Sequence, residues 1–455
     1  LSSHVISNLP NRPMWRFGAA DWMFKEQEKG SRTPSKARVL IAGLIGNVME
    51  WYDFALYGYF ATVIGQQFFP STNPTASLIG AFGAFAAGFI VRPLGGIVYG
   101  RIGDLVGRRR ALTLSVIAMA IPTVAMAFLP THAQIGIAAP IAVVLLRLLQ
   151  GISAGGEYTT SIIFLAEAAP DRQRGFYSIW GLWGSVLGML MGSAFGDLLT
   201  RTLTQTQLDH WGWRVAFALG SLVAITGVII RTGIGEDEAS EATKTPLKST
   251  LGVHRPEFLR VLALNIASSV GFYAVYVYLV TYLEVVDGIS ESVALSLNTD
   301  VMAVLLLLYP ITAWLSDRIG RRPMLMGGAA LLCIGAIPFL QLIHSHDPQL
   351  IVRGELGFTL AIALIDGGKS PANVELMPAE VRCTGIALAY NLAEGWFGGT
   401  TPLIAAVLIA RASGNPIYLG VWVGLSGLCT FVTAAFFTRE TAFKPLLKQA
   451  QAQTV

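Results

Sequence analysis

The sequence predicts an all-α membrane protein of twelve transmembrane helices in two pseudo-symmetric six-helix bundles. Two observations predict this. The 455 residues are 53% hydrophobic and only 13% charged, against about 25% charged in a typical soluble chain. In addition, two motifs occur twice. Gly100-x-x-x-Asp104-x-x-Gly107-Arg108-Arg109 recurs as Ala313-x-x-x-Asp317-x-x-Gly320-Arg321-Arg322, and Glu167-x-x-Pro170-x-x-x-Arg174 recurs as Glu375-x-x-Pro378-x-x-x-Arg382. The repeats lie roughly two hundred residues apart and mark two related halves. Duplicated halves in a bilayer point to a transporter.

The elements follow in order. In the first half, apolar runs cover 39–64, 76–99, 111–129, 137–165, 176–199 and 213–231. In the second they cover 260–283, 296–316, 324–343, 352–377, 384–409 and 417–437. A run of about 20 apolar residues crosses the hydrocarbon as a helix, and longer runs tilt or extend beyond it. The patterns are helical rather than alternating, which argues against a barrel. The bundles are therefore expected at 39–231 and 259–437. A polar, basic arm (1–38), a charged linker (232–258) and a short tail (438–455) flank them.

Basic residues orient the chain. With both termini inside, cytoplasmic segments hold 25 of the 32 Lys and Arg, and the external loops hold only Arg201, Arg214, Arg353 and Arg411. This is the positive-inside pattern. The net charge of +4 reflects that bias. It does not imply nucleic acid, because no basic patch is interleaved with exposed aromatics. No Gly-rich loop ending in Gly-Lys-Ser/Thr is present, which argues against a primary pump. Three cysteines show no metal spacing. His4, His132, His210, His254, His344 and His346 fall mostly in tails or loops and suggest neither a metal site nor a proton relay. No enzymatic site or cofactor is expected.

Charges within apolar spans demand a function or a partner. Glu50 and Asp53 stand three apart in span 1. Arg92 falls late in span 2, Arg147 and Glu157 in span 4, and Glu394 in span 11. Asp53 is the expected proton-coupling acid, with Glu50 and Glu157 next and Arg147 modulating them, since a nearby Arg opposes protonation of a carboxylate. Arg92 and Arg147 are expected to hold a substrate carboxylate through their planar forks. Tyr57, Tyr158, Trp180 and Trp396 could line the path, with Asn265 and Asn391 in its polar wall. Asp366 and Lys369, three apart, read as a structural pair. In the charged repeats, Gly100 permits close helix approach and Gly107 a tight turn. Asp104, repeated as Asp317, lies near helix ends, where it can meet an N-terminal dipole or a partner Arg from a neighbouring helix. With Gly320, Arg108, Arg109, Arg321, Arg322, Glu167, Arg174, Glu375 and Arg382 they read as a conformational latch. Span 5 carries Gly184, Gly188, Gly192 and Gly196, a stripe for close helix contact.

These repeats resemble the signature of the major facilitator superfamily. Within it, several segments resemble the metabolite:proton symporter family: Gly46-Asn47-x-x-Glu50-Trp51-Tyr52-Asp53-Phe54, Arg92-Pro93-Leu94-Gly95-Gly96, Arg147-x-x-Gln150-Gly151-x-Ser153-x-Gly155-Gly156-Glu157, Trp211-Gly212-Trp213-Arg214 and Phe397-Gly398-Gly399-Thr400-Thr401-Pro402. The resemblance implies a bacterial inner-membrane symporter, driven by protons, working by alternating access and functional as a monomer. It implies a substrate among alpha-ketoglutarate, citrate, other dicarboxylates, shikimate, proline or betaine. Two cavity arginines would favour a di- or tricarboxylate. A zwitterionic osmolyte caged by aromatics is the alternative, and a non-transporting sensor on the same fold a further one.

Overall fold

The computed structural model describes residues 36–232 and 245–446. The expected arm through residue 35, residues 233–244 of the linker and the tail from 447 lie outside the described residues. Ten helices are long and apolar enough to cross a membrane: α1 (Lys36–Tyr59), α2 (Ile79–Leu105), α3 (Arg108–Phe128), α4 (Ala138–Ala168), α5 (Arg174–Thr202), α7 (Arg255–Glu284), α8 (Val293–Ile319), α9 (Arg321–Ile343), α11 (Ala379–Arg411) and α12 (Ile417–Phe437). Two more complete the set, α6 (Trp213–Thr232) and α10 (Pro348–Leu376). Arg353, Glu355, Asp366, Lys369 and Glu375 lower the apolarity of α10. Twelve helices thus stand where the twelve apolar runs predict them.

The charged repeats are less loop-like than their composition suggests. Gly100 and Asp104 still belong to α2, and Arg108 and Arg109 already belong to α3. The turn itself is little more than Gly107, whose φ of +116° favours glycine. Gly320, with φ of +109°, plays the same part between α8 and α9. The helix propensity of the flanking residues overrides the charge, because the polar face of a helix end can meet a partner helix. The linker is also shorter than expected. A short helix, Pro246–Leu251, precedes α7, which starts at Arg255.

Close packing positions the bundle. The glycine stripe of α5 lies on α1, where a Cβ at Gly192 would stand 2.8 Å from Ala55 Cβ and one at Gly184 2.7 Å from the Leu44 carbonyl. This contact lies within the first half, not between the halves. Gly88 and Gly95 of α2 face Gly151 and Ile152 of α4 in the same manner. Between the halves, α2 packs on α11, and α5 packs on α8. Helices α7 and α11 each contain a π-helical turn, Tyr273–Tyr278 and Ala393–Gly398. Such turns often accompany functional sites. Here they meet, since a Cβ on Gly398 would stand 2.8 Å from the Tyr273 ring.

Candidate functional site

Three polar constellations occupy the bundle. The first lies inside the first half. Arg147 Nη1 stands 2.7 Å from Asp53 Oδ2, and both side chains are fully buried. Asp53 Oδ1 accepts hydrogen bonds from Thr123 and Gln150, each at 3.1 Å. The Arg147 guanidinium lies 3.8 Å over the Tyr57 ring, and Tyr57 donates to the Ala81 carbonyl. Hydrogen bonds and the Tyr57 ring tie this pair to α1, α2, α3 and α4, while Arg147 Nε and Nη2 are buried without a hydrogen-bond partner.

The second constellation spans the interface. Arg92 Nη2 lies 3.1 Å from Glu50 Oε1. Its Nε faces Asn391 Oδ1 of α11 at 3.5 Å, and Asn391 donates to the Gly155 carbonyl of α4 at 2.6 Å. Glu157 and Glu394 add negative charge around Glu50. Glu157 accepts from Ser115 of α3.

The third constellation is a cavity of about 30 Å³ between the halves. Asp366, Lys369, Glu394, Ser268, Ser269 and Tyr309 bring polar groups to it, and Trp51, Phe272 and Tyr390 bring rings. Lys369 Nζ stands 2.7 Å from Asp366 Oδ1 and 2.5 Å from Ser268 Oγ. Tyr309 donates to Asp366 at 2.9 Å, and Ser269 to Glu394 at 2.7 Å.

None of the eight residues expected to touch substrate lines this cavity. Arg92, Arg147, Tyr57 and Asn391 occupy the networks above. Tyr158 stacks behind Tyr390 at 4.4 Å. Trp180 packs on Trp183 and Phe176. Asn265 exchanges hydrogen bonds with Asn373. Trp396 is 68% exposed and borders an outward-facing apolar groove with Phe85 and Phe89. Conversely, Asp366 and Lys369, which read as a structural pair, face the cavity. Serine and tyrosine lining groups carried no sequence signal of their own. Helical phase could have found them: Asp366, Lys369 and Asn373 fall on one face of α10. Glu355, buried at 1% exposure with no partner on Oε2, was likewise missed.

The charged repeats build two matching junctions at one end of the bundle. Asp104 accepts the backbone N–H groups of Cys383 and Thr384, both at 2.9 Å, capping α11. Asp317 accepts those of Gly175 and Phe176, both at 2.8 Å, capping α5. Free N–H groups and the helix dipole make each helix start a carboxylate receptor. Glu167 pairs with Arg382 at 2.7 Å and with Arg108 at 3.2 Å. Glu375 pairs with Arg174 at 2.9 Å and with Arg321 at 3.0 Å. At Gly100 a Cβ would stand 2.7 Å from Thr384 Cα, so only glycine lets α2 and α11 close here. Arg109 is half-buried in the first turn of α3, and Arg322 donates to the Ala434 and Ala435 carbonyls.

The second junction has an addition that the repeats do not reveal. Glu440, after α12, accepts from the backbone N–H groups of Arg321, Arg322, Thr441 and Ala442. Burial pushes its carboxyl up, but these four N–H donors outweigh it and hold it below the usual carboxylate range. Arg174 donates to the Ala442 and Lys444 carbonyls, and Thr441 to Glu375 at 2.5 Å.

This duplicated architecture has a known counterpart. The family model described as sugar (and other) transporter matches residues 39–236 and 228–452. The chain belongs to that family, within the major facilitator superfamily. It is 33% identical over 427 residues to the glycine betaine/proline/ectoine/pipecolic acid transporter OusA of Dickeya dadantii (strain 3937), covering 90% of this chain and 84% of that one. It is 33% identical over 416 residues to the alpha-ketoglutarate permease of Escherichia coli (strain K12), covering 90% and 95%. Among solved structures, the proton:xylose symporter XylE bound to 6-bromo-6-deoxy-D-glucose superposes with a TM-score of 0.76 at 17% identity, covering 90% of this chain and 97% of XylE, which shows a shared fold. The chain is therefore a multi-pass, proton-coupled secondary transporter of a small organic solute, not an enzyme.

Proposed function

We propose that the transporter imports a zwitterion carrying one carboxylate, of the proline or glycine betaine class. One observation carries this reading: the charge presented to the central cavity is Lys369 with Asp366 and Glu394, among Trp51, Phe272 and Tyr390. A single cation suits one carboxylate. Acidic and aromatic groups suit an ammonium. Arg92 and Arg147, whose presence favoured a di- or tricarboxylate, are committed to Glu50 and Asp53 and do not face the cavity. The order of preference drawn from sequence is therefore reversed.

Proton coupling rests in this reading on Asp53 and Arg147. Protonating Asp53 would release the guanidinium, and losing the proton would restore the pair. Because the pair is buried, either change would alter the packing of α1 on α4. Glu50 and Arg92 would pass that change to α11 through Asn391. The two junctions act as the latch of the positive-inside face, taken as cytoplasmic. In this reading, a form with both junctions closed is shut toward the cytoplasm. Entry of substrate and proton from outside would precede release of the latch.

Uptake into proteoliposomes with an imposed pH gradient tests the assignment, with proline, glycine betaine, alpha-ketoglutarate, citrate and shikimate in competition. Saturable, gradient-driven uptake of proline or betaine is expected. Uptake of alpha-ketoglutarate or citrate alone would return the assignment to organic anions.

A further inference from the structure

The fold assembles three groups that no motif connects. Helices alternate in direction, so the turns after α7 and α9 lie at the end of the bundle opposite the junctions. Asp287 stands in the first turn, His344 and His346 in the second. One ligand atom from each lies within 4.8 Å of the others. Asp287 Oδ1 is 2.8 Å from His344 Nδ1, and the Asp287 side chain is fully buried. Its other oxygen, Oδ2, has no hydrogen-bond partner. The Tyr282 hydroxyl also stands 2.8 Å from His344 Nδ1 and donates to the Gly414 carbonyl. His346 holds a left-handed backbone, φ +61°, that keeps its ring 5.5 Å from that of His344.

We propose that Asp287, His344 and His346 bind a divalent transition-metal cation of the Zn²⁺ class. A buried carboxylate oxygen without a partner is costly. The His344–Asp287 contact alone leaves Oδ2 unsatisfied and gives His346 no role. A cation answers both. Two imidazoles and a carboxylate form a donor set that suits Zn²⁺, Co²⁺ or Ni²⁺, whereas Ca²⁺ and Mg²⁺ need more oxygen ligands. Bonds of about 2.1 Å require ligand atoms about 3.4 Å apart in a tetrahedron, so Asp287 Oδ1 and His344 Nδ1, 2.8 Å apart, must part slightly, and His346 must move to close the cluster, which lies within 4.8 Å, around the ion. His346 is exposed and has the freedom to do so. Three protein ligands leave a fourth position for water. The bound ion would join the α7–α8 turn to the α9–α10 turn.

Isothermal titration of the purified full chain with ZnCl₂, after removal of any affinity tag, tests the site. One saturable Zn²⁺ per chain is expected, with affinity at least tenfold weaker in both His346→Ala and Asp287→Asn, a loss of about the size seen when metal-site carboxylates are altered. Co²⁺ should give visible d–d bands in the native chain that vanish in His346→Ala. Because His346 is exposed, its loss does not threaten the core. Absence of saturable binding below millimolar Zn²⁺, or unchanged affinity in His346→Ala, would overturn the proposal.

Discussion

At the residue scale, the buried pairs make opposite predictions for two substitutions that remove the same contact. Arg147→Ala leaves the buried Asp53 carboxylate without its counter-ion and should cost about 3–5 kcal/mol, read as a marked fall in Tm. Asp53→Asn leaves Arg147 over the Tyr57 ring and keeps hydrogen bonds to Thr123 and Gln150. It should fold, exchange substrate across the membrane, and lose substrate-evoked proton uptake. Full proton stoichiometry in Asp53→Asn vesicles would remove Asp53 from the coupling role. Lys369→Ala takes away the one cation that lines the cavity among the described residues. Losing a charge-assisted contact worth about 1.5–3 kcal/mol should raise KM roughly ten- to hundredfold. An unchanged KM would place the substrate elsewhere. Most of the charged residues were legible, since an ion inside an apolar run draws notice, although Glu355 was passed over. What was not legible is which of them meet. Arg92 and Arg147 look available in sequence because their partners, Glu50 and Asp53, lie far away along the chain. Lys369 looks satisfied because its partner is three residues off, although that pair lies open to the cavity.

At the scale of elements, the junctions can be tested through Cys383. It is 1% exposed, and its N–H donates to Asp104. In a chain with Cys333 and Cys429 replaced by Ser, Cys383 should resist maleimide. Asp104→Asn weakens the cap on α11 and should speed labelling several-fold. An unchanged rate would argue that the cap does not hold the helices together. Helix α5 makes a second test. Gly188 lies against the Val48 carbonyl, and a Cβ there would stand 3.0 Å from Tyr52 N. Gly188→Leu should therefore abolish folded protein rather than slow transport, and normal uptake would refute the contact. Glu440 brings a pH dependence. Its folded carboxyl titrates below its unfolded value, so the stabilisation is present above the ordinary carboxylate range and fades as pH falls through it. The Tm difference between the native chain and Glu440→Gln should be largest near neutral pH and vanish in acid. A difference that persists in acid would rule out this cap. The helices were legible from their apolar runs, and the junctions from their duplication. The Glu440 segment was not, because it occurs once and carries no periodic pattern.

At the scale of the molecule, two halves of one design meet through unlike chemistry. The first half buries the Glu50–Arg92 and Asp53–Arg147 pairs. The second brings Asp366, Lys369 and Glu394 to the shared cavity. A repeat exposes what the halves have in common, so the fold and its closing end could be read from sequence. Substrate choice depends on where they differ, and that depends on which helix face turns inward. The transporter as a whole should show this division in kinetics. Substitutions in the first-half network should alter proton dependence, while those around Lys369 should alter substrate selectivity. A variant of Lys369 that changed proton stoichiometry while keeping its competition profile would contradict it.

The segment around Glu440 ties the α5–α8 junction to the start of α9, whereas the helix Pro246–Leu251 lies against the α2–α11 junction. Two bolts of unequal strength do not slide together. The α5–α8 side, pinned to α9 through Glu440, should yield last and serve as pivot, so the door swings on a hinge instead of lifting squarely from its frame.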